Sequence, residues 1–252
     1  MSILIYEKAG HVVTITLNRP QKLNAMSRNL ASELEKALAG FDDDPELWVA
    51  VITGSGDRSF CVGADLKDPE HLVEPEKWEA SYMKKLFSVK KPLIAAVNGY
   101  CLGGGFTVAL ACDIRIASEN ASFGTPDQKL NTVDCAASLL LSHFIPHAIA
   151  MEILFTGDPI DAREAYRVGL VNQVTPAAEL LSAATKMANK ICNNGPLALK
   201  ACKTLNRKGR TLVIDDGVAL FQALVPSVLN SEDTREGITA FIEKRKPVWK
   251  GK

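Results

Sequence analysis

The chain has 252 residues, with 29 basic and 29 acidic side chains and a formal net charge of zero. At 47% hydrophobic and 23% charged residues, its composition is that of a folded globular chain and excludes a disordered one. The charge balance argues against a nucleic acid or an acidic membrane as partner.

The first half alternates strand and helix signals. Val12 to Leu17 is a β-branched strand that ends at Asn18-Arg19-Pro20. Ser27 reads as the N-cap of a helix with Leu30, Leu34 and Leu38 on one face and Gly40 as its stop. Trp48 to Thr53 reads as a strand stopped by Gly54-Ser55-Gly56, followed by a short Phe60-Cys61-Val62 segment and a charged helical stretch from Pro75 to Ser88. Leu93 to Val97 is a continuous apolar run of the kind buried on both faces. Gly103-Gly104-Gly105 opens an apolar helix from Phe106 to Cys112, and Ile114 to Ala117 returns as a strand. This alternation implies an α/β core. From Ala136 onward helical patterns dominate: Ala177 to Asn193, Pro196 to about Arg207, Asp215 to Leu229 and Thr234 to Lys244. The best break falls at Asn193 to Pro196.

The start, Met1-Ser2-Ile3-Leu4-Ile5-Tyr6-Glu7, has no basic n-region, and the longest apolar runs fall short of a membrane span, which favours a cytosolic protein. The six cysteines form no CxxC pair and fit no zinc spacing, so reduced thiols are expected. His143 and His147 are separated by Pro146, which breaks any shared helix, and no metal site is expected. The Ser27 to Gly40 helix carries only Arg28 and Lys36 beside Glu33 and Glu35, which is no basic comb for RNA.

Two small-residue turns stand out: Cys61-Val62-Gly63-Ala64-Asp65-Leu66, and Asn98 to Gly105 with its triple glycine. Glycines ahead of a helix leave N–H groups uncovered at the positive end of the helix dipole, where a carbonyl developing negative charge can sit. Tight packing of a helix on a strand explains such a turn equally well. The spacing is neither that of a phosphate-binding P-loop nor that of a dinucleotide site.

Taken together, the segments are more specific. Leu17-Asn18-Arg19-Pro20, Asn24-Ala25-Met26, Gly63-Ala64-Asp65-Leu66, Lys91-Pro92, Ala95 to Gly99 and Leu102 to Gly105 occur in one order. Asp113, Ala121 to Gly124, Thr156-Gly157, Gly169-Leu170-Val171, Glu236-Gly237 and Ala240-Phe241 follow. In this order they resemble the crotonase (enoyl-CoA hydratase/isomerase) superfamily over nearly the whole chain. The resemblance implies an α/β spiral of repeated ββα units over residues 1–194, which binds acyl-CoA and carries the chemistry. It also implies a C-terminal helical region, 195–252, that trimerises and covers the coenzyme A site. Homotrimers or dimers of trimers, an acyl-CoA substrate and no tightly bound cofactor follow, with coenzyme A entering as part of the substrate.

By motif match, the backbone N–H groups of Ala64 and Gly104 would hold the thioester oxygen of an enolate. The stretch Ala64, Asp65, Leu66, Lys67 resembles the loop around which coenzyme A bends. Lys22 and Leu23 match the stretch beside the adenine, and Phe241 and Lys244 match tail residues that reach the nucleotide, often in a neighbouring subunit. Typical hydratases use two glutamates. Here Thr107 stands at the first position and Asp127 at the second. Thr107 can hydrogen-bond a water but cannot act as a base near neutral pH. Asp127 can act as one where a partly apolar pocket raises its pKa; a turn aspartate after Pro126 is the structural alternative. Several divergent members place a catalytic aspartate within a residue of Asp134, which makes it the second acid–base candidate; an N-cap for the helix starting at Cys135 or Ala136 is the alternative. Hydration of a 2-enoyl-CoA is the expected reaction. Double-bond isomerisation, decarboxylation, C–C hydrolysis or epimerisation with one base, and non-catalytic acyl-CoA binding, stay open beside it.

Overall fold

The computed structural model describes residues 2–68, 75–209 and 214–252. Strands β1 (Leu4–Ala9) and β2 (Val12–Leu17) form an antiparallel hairpin, and helix α1 (Arg28–Asp43) follows. The chain then repeats one pattern. β3 (Val49–Gly54), β4 (Ser59–Cys61) and α2 (Pro75–Ser88) make one turn; β5 (Leu93–Val97), β6 (Tyr100–Leu102) and α3 (Gly104–Ala111) the next; β7 (Ile114–Ser118), β8 (Ser122–Gly124) and α4 (Cys135–Leu140) a third. In each turn the first strand joins a six-stranded sheet, ordered β1-β2-β3-β5-β7-β10, and the second joins a four-stranded sheet, ordered β4-β6-β8-β9. This is a spiral of ββα units. Helices α5 (His147–Thr156) and α6 (Ala162–Arg167), flanking β9 (Ile160–Asp161), and then β10 (Gln173–Thr175) and α7 (Leu180–Cys192), complete it. Helices α8 (Pro196–Gly209), α9 (Ile214–Leu229) and α10 (Glu232–Ile242) follow the Asn193–Gly195 connection. Among the described residues no helix is long and apolar enough to cross a membrane.

The continuous apolar strands are buried on both faces. Ala50 and Ile52 of β3 point into a core with Leu30, Leu34, Phe41 and Phe106, whereas Val49 and Val51 point into a second core with Leu180, Ala184 and Ala188 of α7. A period of two thus serves two cores at once, which is why these strands lack polar alternation.

The N-cap prediction at Ser27 holds: its hydroxyl accepts from Leu30 N–H, and Leu30, Leu34 and Leu38 are buried. Gly40 does not stop α1, which runs on to Asp43. Two things carry it past the glycine. Phe41 is fully buried, and the Lys91 ammonium donates to the carbonyls of Phe41 and Asp44 at 2.6 and 2.5 Å, satisfying the orphan acceptors of the helix end. Burial lowers the Lys91 pKa to about 8. His143 ends a 3-10 turn and His147 begins α5 on the far side of Pro146, so the pair shares no helix. The C-terminal helices are fastened to the spiral by α8. Lys203 donates to the Lys91 carbonyl and pairs with Asp113 at 2.7 Å, while Arg207 donates to the carbonyls of Phe87 and Ala111.

Candidate active site

β4, β6 and β8 are parallel neighbours, so the turns that leave their C-terminal ends start side by side. The first turn is Val62 to Leu66, the second Gly103 to Gly105, the third Thr125 to Asp127. The site is built from these three.

The first turn is fixed by an isolated bridge between Met26 and Ala64. Met26 N–H donates to the Gly63 carbonyl at 2.7 Å, and Asp65 N–H donates to the Met26 carbonyl at 3.0 Å. Backbone alternation then turns the Ala64 N–H to the opposite side, toward the start of α3. Gly63 has φ +88°, and a Cβ there would stand 3.0 Å from the Leu102 carbonyl and 3.1 Å from the Gly104 nitrogen, so only glycine lets the two turns close up. Gly105 is held as tightly, since a Cβ on it would overlap the Cys61 carbonyl. Gly104, at the first position of α3, has an N–H with no acceptor inside the helix. A Cβ on it would lie 4.0 Å from the Ala64 nitrogen. Ala64 and Gly104 are each half-buried between buried neighbours. The two small residues thus stand close together, as two backbone donors of an oxyanion hole would have to.

Around Ala64 the loop is braced by charge. Asp65 is buried and pairs with Arg19 at 2.7 Å; Lys67 N–H also donates to it. Burial works against the Asp65 charge, but the Arg19 and Lys67 hydrogen bonds and the nearby charges of Arg19 and Lys22 outweigh it and hold its carboxyl below the usual range. Arg19 also donates to the Ala25 carbonyl, and the side chain of Asn24, at φ +55°, donates to the carbonyls of Ser55 and Ser59. Lys22 and Leu23 are thereby carried alongside Ala64 to Lys67, with Leu66 61% exposed and the Lys22 and Lys67 side chains in solvent. Phe241 and Lys244 lie at the C-terminal end of α10, whose start is tied at Asp233 to the backbone of Lys250 and Gly251. Phe241 is 84% exposed.

The third turn brings Asp127 to α3. Its carboxylate accepts from the Thr125 hydroxyl at 2.8 Å and lies 3.2 Å from where a Cβ on Gly103 would stand. The loop then curls back, with Thr132 N–H and hydroxyl both on the Asp127 carbonyl, and ends at Asp134. Asp134 caps α4 by accepting from Ala137 N–H at 2.7 Å. Its two carboxylate oxygens also accept from the Thr107 hydroxyl, both at 3.1 Å, and both residues are buried. Asp134 is therefore a cap and a carboxylate at the α3 face together. Thr107 N–H bonds to the Gly103 carbonyl, so Asp127 and Asp134 flank the first turn of α3.

Sequence reading missed the Arg19–Asp65 brace, the clamp by Asn24 and the approach of Tyr82 to Gly104. Asn24 sits in a left-handed turn with Leu23, a conformation for which asparagine is the only visible signal. Cys61, Cys101 and Cys112 are buried, and burial pushes the Cys61 thiol up to about 12. Among the described residues no group of three or more His, Cys, Asp or Glu side chains is placed to hold a metal ion.

Comparison with known proteins gives one direction. A family model described as enoyl-CoA hydratase/isomerase matches residues 7–252. Carnitinyl-CoA dehydratase of Proteus mirabilis is 43% identical over 255 aligned positions, which cover 96% of each chain. A probable mitochondrial enoyl-CoA hydratase of Dictyostelium discoideum is 40% identical, over 98% of this chain and 90% of that one. Among solved structures, an enoyl-CoA hydratase from Bacillus anthracis superposes over the full length of both chains, with a TM-score of 0.94 and 34% identity.

Proposed function

The chain belongs to the enoyl-CoA hydratase/isomerase family of the crotonase superfamily, and from that premise we propose that its site adds water reversibly to a 2-enoyl-CoA thioester. The thioester oxygen accepts from the N–H groups of Ala64 and Gly104. As water adds at C3, charge moves onto that oxygen, and the two fixed dipoles stabilise it; each such donor lowers the barrier by about 3 kcal/mol. Asp127 takes the proton of the attacking water. A proton must then reach C2: Asp134, entering the cycle as the neutral acid, supplies it from the other side of the same helix turn, and the proton gained by Asp127 returns to Asp134 through solvent to close the cycle. The observation that carries this reading is the Thr107–Asp134 contact. A threonine hydroxyl cannot do the work of a carboxylic acid, but it can orient one, and the carboxylate absent from α3 is supplied by the cap of α4.

Coenzyme A bends past Ala64 to Lys67 and Lys22 to Leu23. The exposed apolar residues of α9 and α10, Phe221, Ile238, Phe241 and Ile242, fit a homotrimer in which Phe241 and Lys244 serve a neighbouring site. The test is turnover of an acyl-CoA panel in heavy-oxygen water, with crotonyl-CoA, hexa-2,4-dienoyl-CoA and carnitinyl-CoA included. Gain of labelled oxygen at C3 of an enoyl ester is the expected result. Deuterium exchange at C2 or C4 with no oxygen gained would replace hydration by double-bond isomerisation, the one-base reaction that Thr107 would also permit.

A further inference from the structure

The direction in which the Ala64 amide donates is set by the peptide plane that joins it to Gly63, and that plane is anchored from outside the site. The Gly63 carbonyl accepts from Met26 N–H at 2.7 Å. In a trans peptide the N–H points opposite to the C=O, so the Ala64 N–H points away from Met26. The Met26 N–H belongs in turn to the peptide that carries the Ala25 carbonyl, and that carbonyl accepts from Nη1 of Arg19. One line of donors and acceptors therefore runs from the Arg19 guanidinium through two peptide groups to the Ala64 N–H. Ala25 and Met26 lie between a 3-10 turn and α1, and Met26 meets Ala64 in an isolated bridge rather than a sheet ladder. The other fork nitrogen of Arg19, Nη2, pairs with Asp65 at 2.7 Å, and Asp65 N–H donates back to the Met26 carbonyl, which closes the ring. The second amide is backed differently. The Gly103 carbonyl, in the peptide that carries Gly104 N–H, accepts from Thr107 N–H, so the first turn of α3 polarises that donor. Ala64 has no helix behind it, and the Arg19 cation stands at the corresponding place.

We propose that Arg19 is a positioning residue of the oxyanion hole, whose guanidinium orients and polarises the Ala64 amide through the 25–26 and 63–64 peptides. This rests on the acyl-CoA reading above. Hydrogen bonds in a chain polarise one another, and a charged donor at the head makes the strongest bond of its kind. A guanidinium keeps its charge throughout the working pH range, and its rigid fork spans a carbonyl and a carboxylate that one ammonium group cannot span in the same way. Arg19 touches no reacting atom and moves no proton. Its effect grows from ground state to transition state, because the amide it polarises faces a charge that develops only there.

The test compares wild type with Arg19→Ala, which removes the head of the chain, and Arg19→Lys, which keeps the charge and gives up the fork. Hexa-2,4-dienoyl-CoA is the probe, since polarising its carbonyl moves its ultraviolet absorbance to longer wavelength. The shift is recorded on rapid mixing, before turnover. The wild-type protein is expected to give the largest red shift, Arg19→Lys a smaller one and Arg19→Ala the smallest. The kcat of Arg19→Ala is expected to fall about tenfold, with KM changed by less than about twofold, because the polarised amide acts on charge that develops in the transition state. Should Arg19→Ala fail to fold, the smaller shift and lower kcat of Arg19→Lys carry the test. A shift and a kcat equal to wild type in every folded variant would overturn the inference while leaving the acyl-CoA reading in place. So would a loss confined to KM and thermal stability, the mark of a purely structural arginine. A wild-type protein that gives no shift and binds no probe would overturn the acyl-CoA reading, and this inference with it.

Discussion

The Ala64 and Gly104 side of the cleft is main chain wedged between buried neighbours, whereas the Asp127 and Asp134 side is a pair of carboxylates at the two ends of one loop. The first side is dictated by sterics. Gly63 and Gly105 each sit where a single methyl group would strike backbone, and the amides they position cannot be altered without moving β4 against α3. The second side is held by side-chain hydrogen bonds from Thr125 to Asp127 and from Thr107 to Asp134. Those can be exchanged residue by residue while the helix stays in place. The contrast fits the resemblance read from the sequence, in which the glycine turns match the family and Thr107 and Asp127 stand where its two glutamates are expected. On the proposed mechanism, a carboxylate on a helix face can be replaced by one at a helix cap facing it. A backbone N–H has no such substitute.

The comparison can be broken on either side. Gly105→Ala should have the largest effect, since its Cβ overlaps the Cys61 carbonyl. Its cost is about 3 kcal/mol or more in urea unfolding, or no folded protein at all. An alanine tolerated there would show that the backbone side is less constrained than the packing implies. Asp127→Asn should lower kcat by about 10² to 10⁴-fold with stability nearly unchanged, because asparagine can still accept from Thr125. Asp134 separates its two roles through two variants. Asp134→Ser keeps an N-cap and Asp134→Ala does not. Both should lose about tenfold to a hundredfold in kcat, but only the alanine variant should lose roughly 1 kcal/mol of stability beyond the serine variant. Loss of stability without loss of rate in both would reduce Asp134 to a cap.

The smallest effect concerns the brace beneath Ala64. The folded-state pKa of Asp65 is depressed, so the unfolded chain takes up its proton first as pH falls. Its stabilisation is therefore complete above the ordinary carboxylate pKa of about 4 and is lost as pH drops through the lower folded value. Against wild type, Asp65→Asn should cost about 1 to 2 kcal/mol near pH 7, and the difference should shrink below about pH 4 in parallel urea titrations.

Much of the backbone side was legible in the sequence because its causes are local. Ser27 capping, the buried run of β5 and the glycine turn before α3 each depend on a few adjacent residues. Gly40 misled, since the residues that carry α1 onward are Phe41 and a lysine fifty positions away in the chain. The side-chain half was legible only as positions. That Thr107 and Asp134 share a hydrogen bond is a contact across 27 positions, set by how α4 docks on α3, and no spacing rule reports it. Tyr82 gave no signal, because a tyrosine on a charged helix reads as an ordinary amphipathic residue until the helix is placed.

The claim that both carboxylates take part in water addition is tested most directly by heavy-oxygen incorporation into a 2-enoyl-CoA, followed by mass spectrometry. Wild type, Asp127→Asn and Asp134→Ser would be compared. The account predicts label at C3 for the wild type, incorporation slowed by about 10²-fold or more in Asp127→Asn, and by about tenfold or more in Asp134→Ser. Incorporation by Asp134→Ser at the wild-type rate would contradict it, and would return the proton chemistry to Asp127 alone.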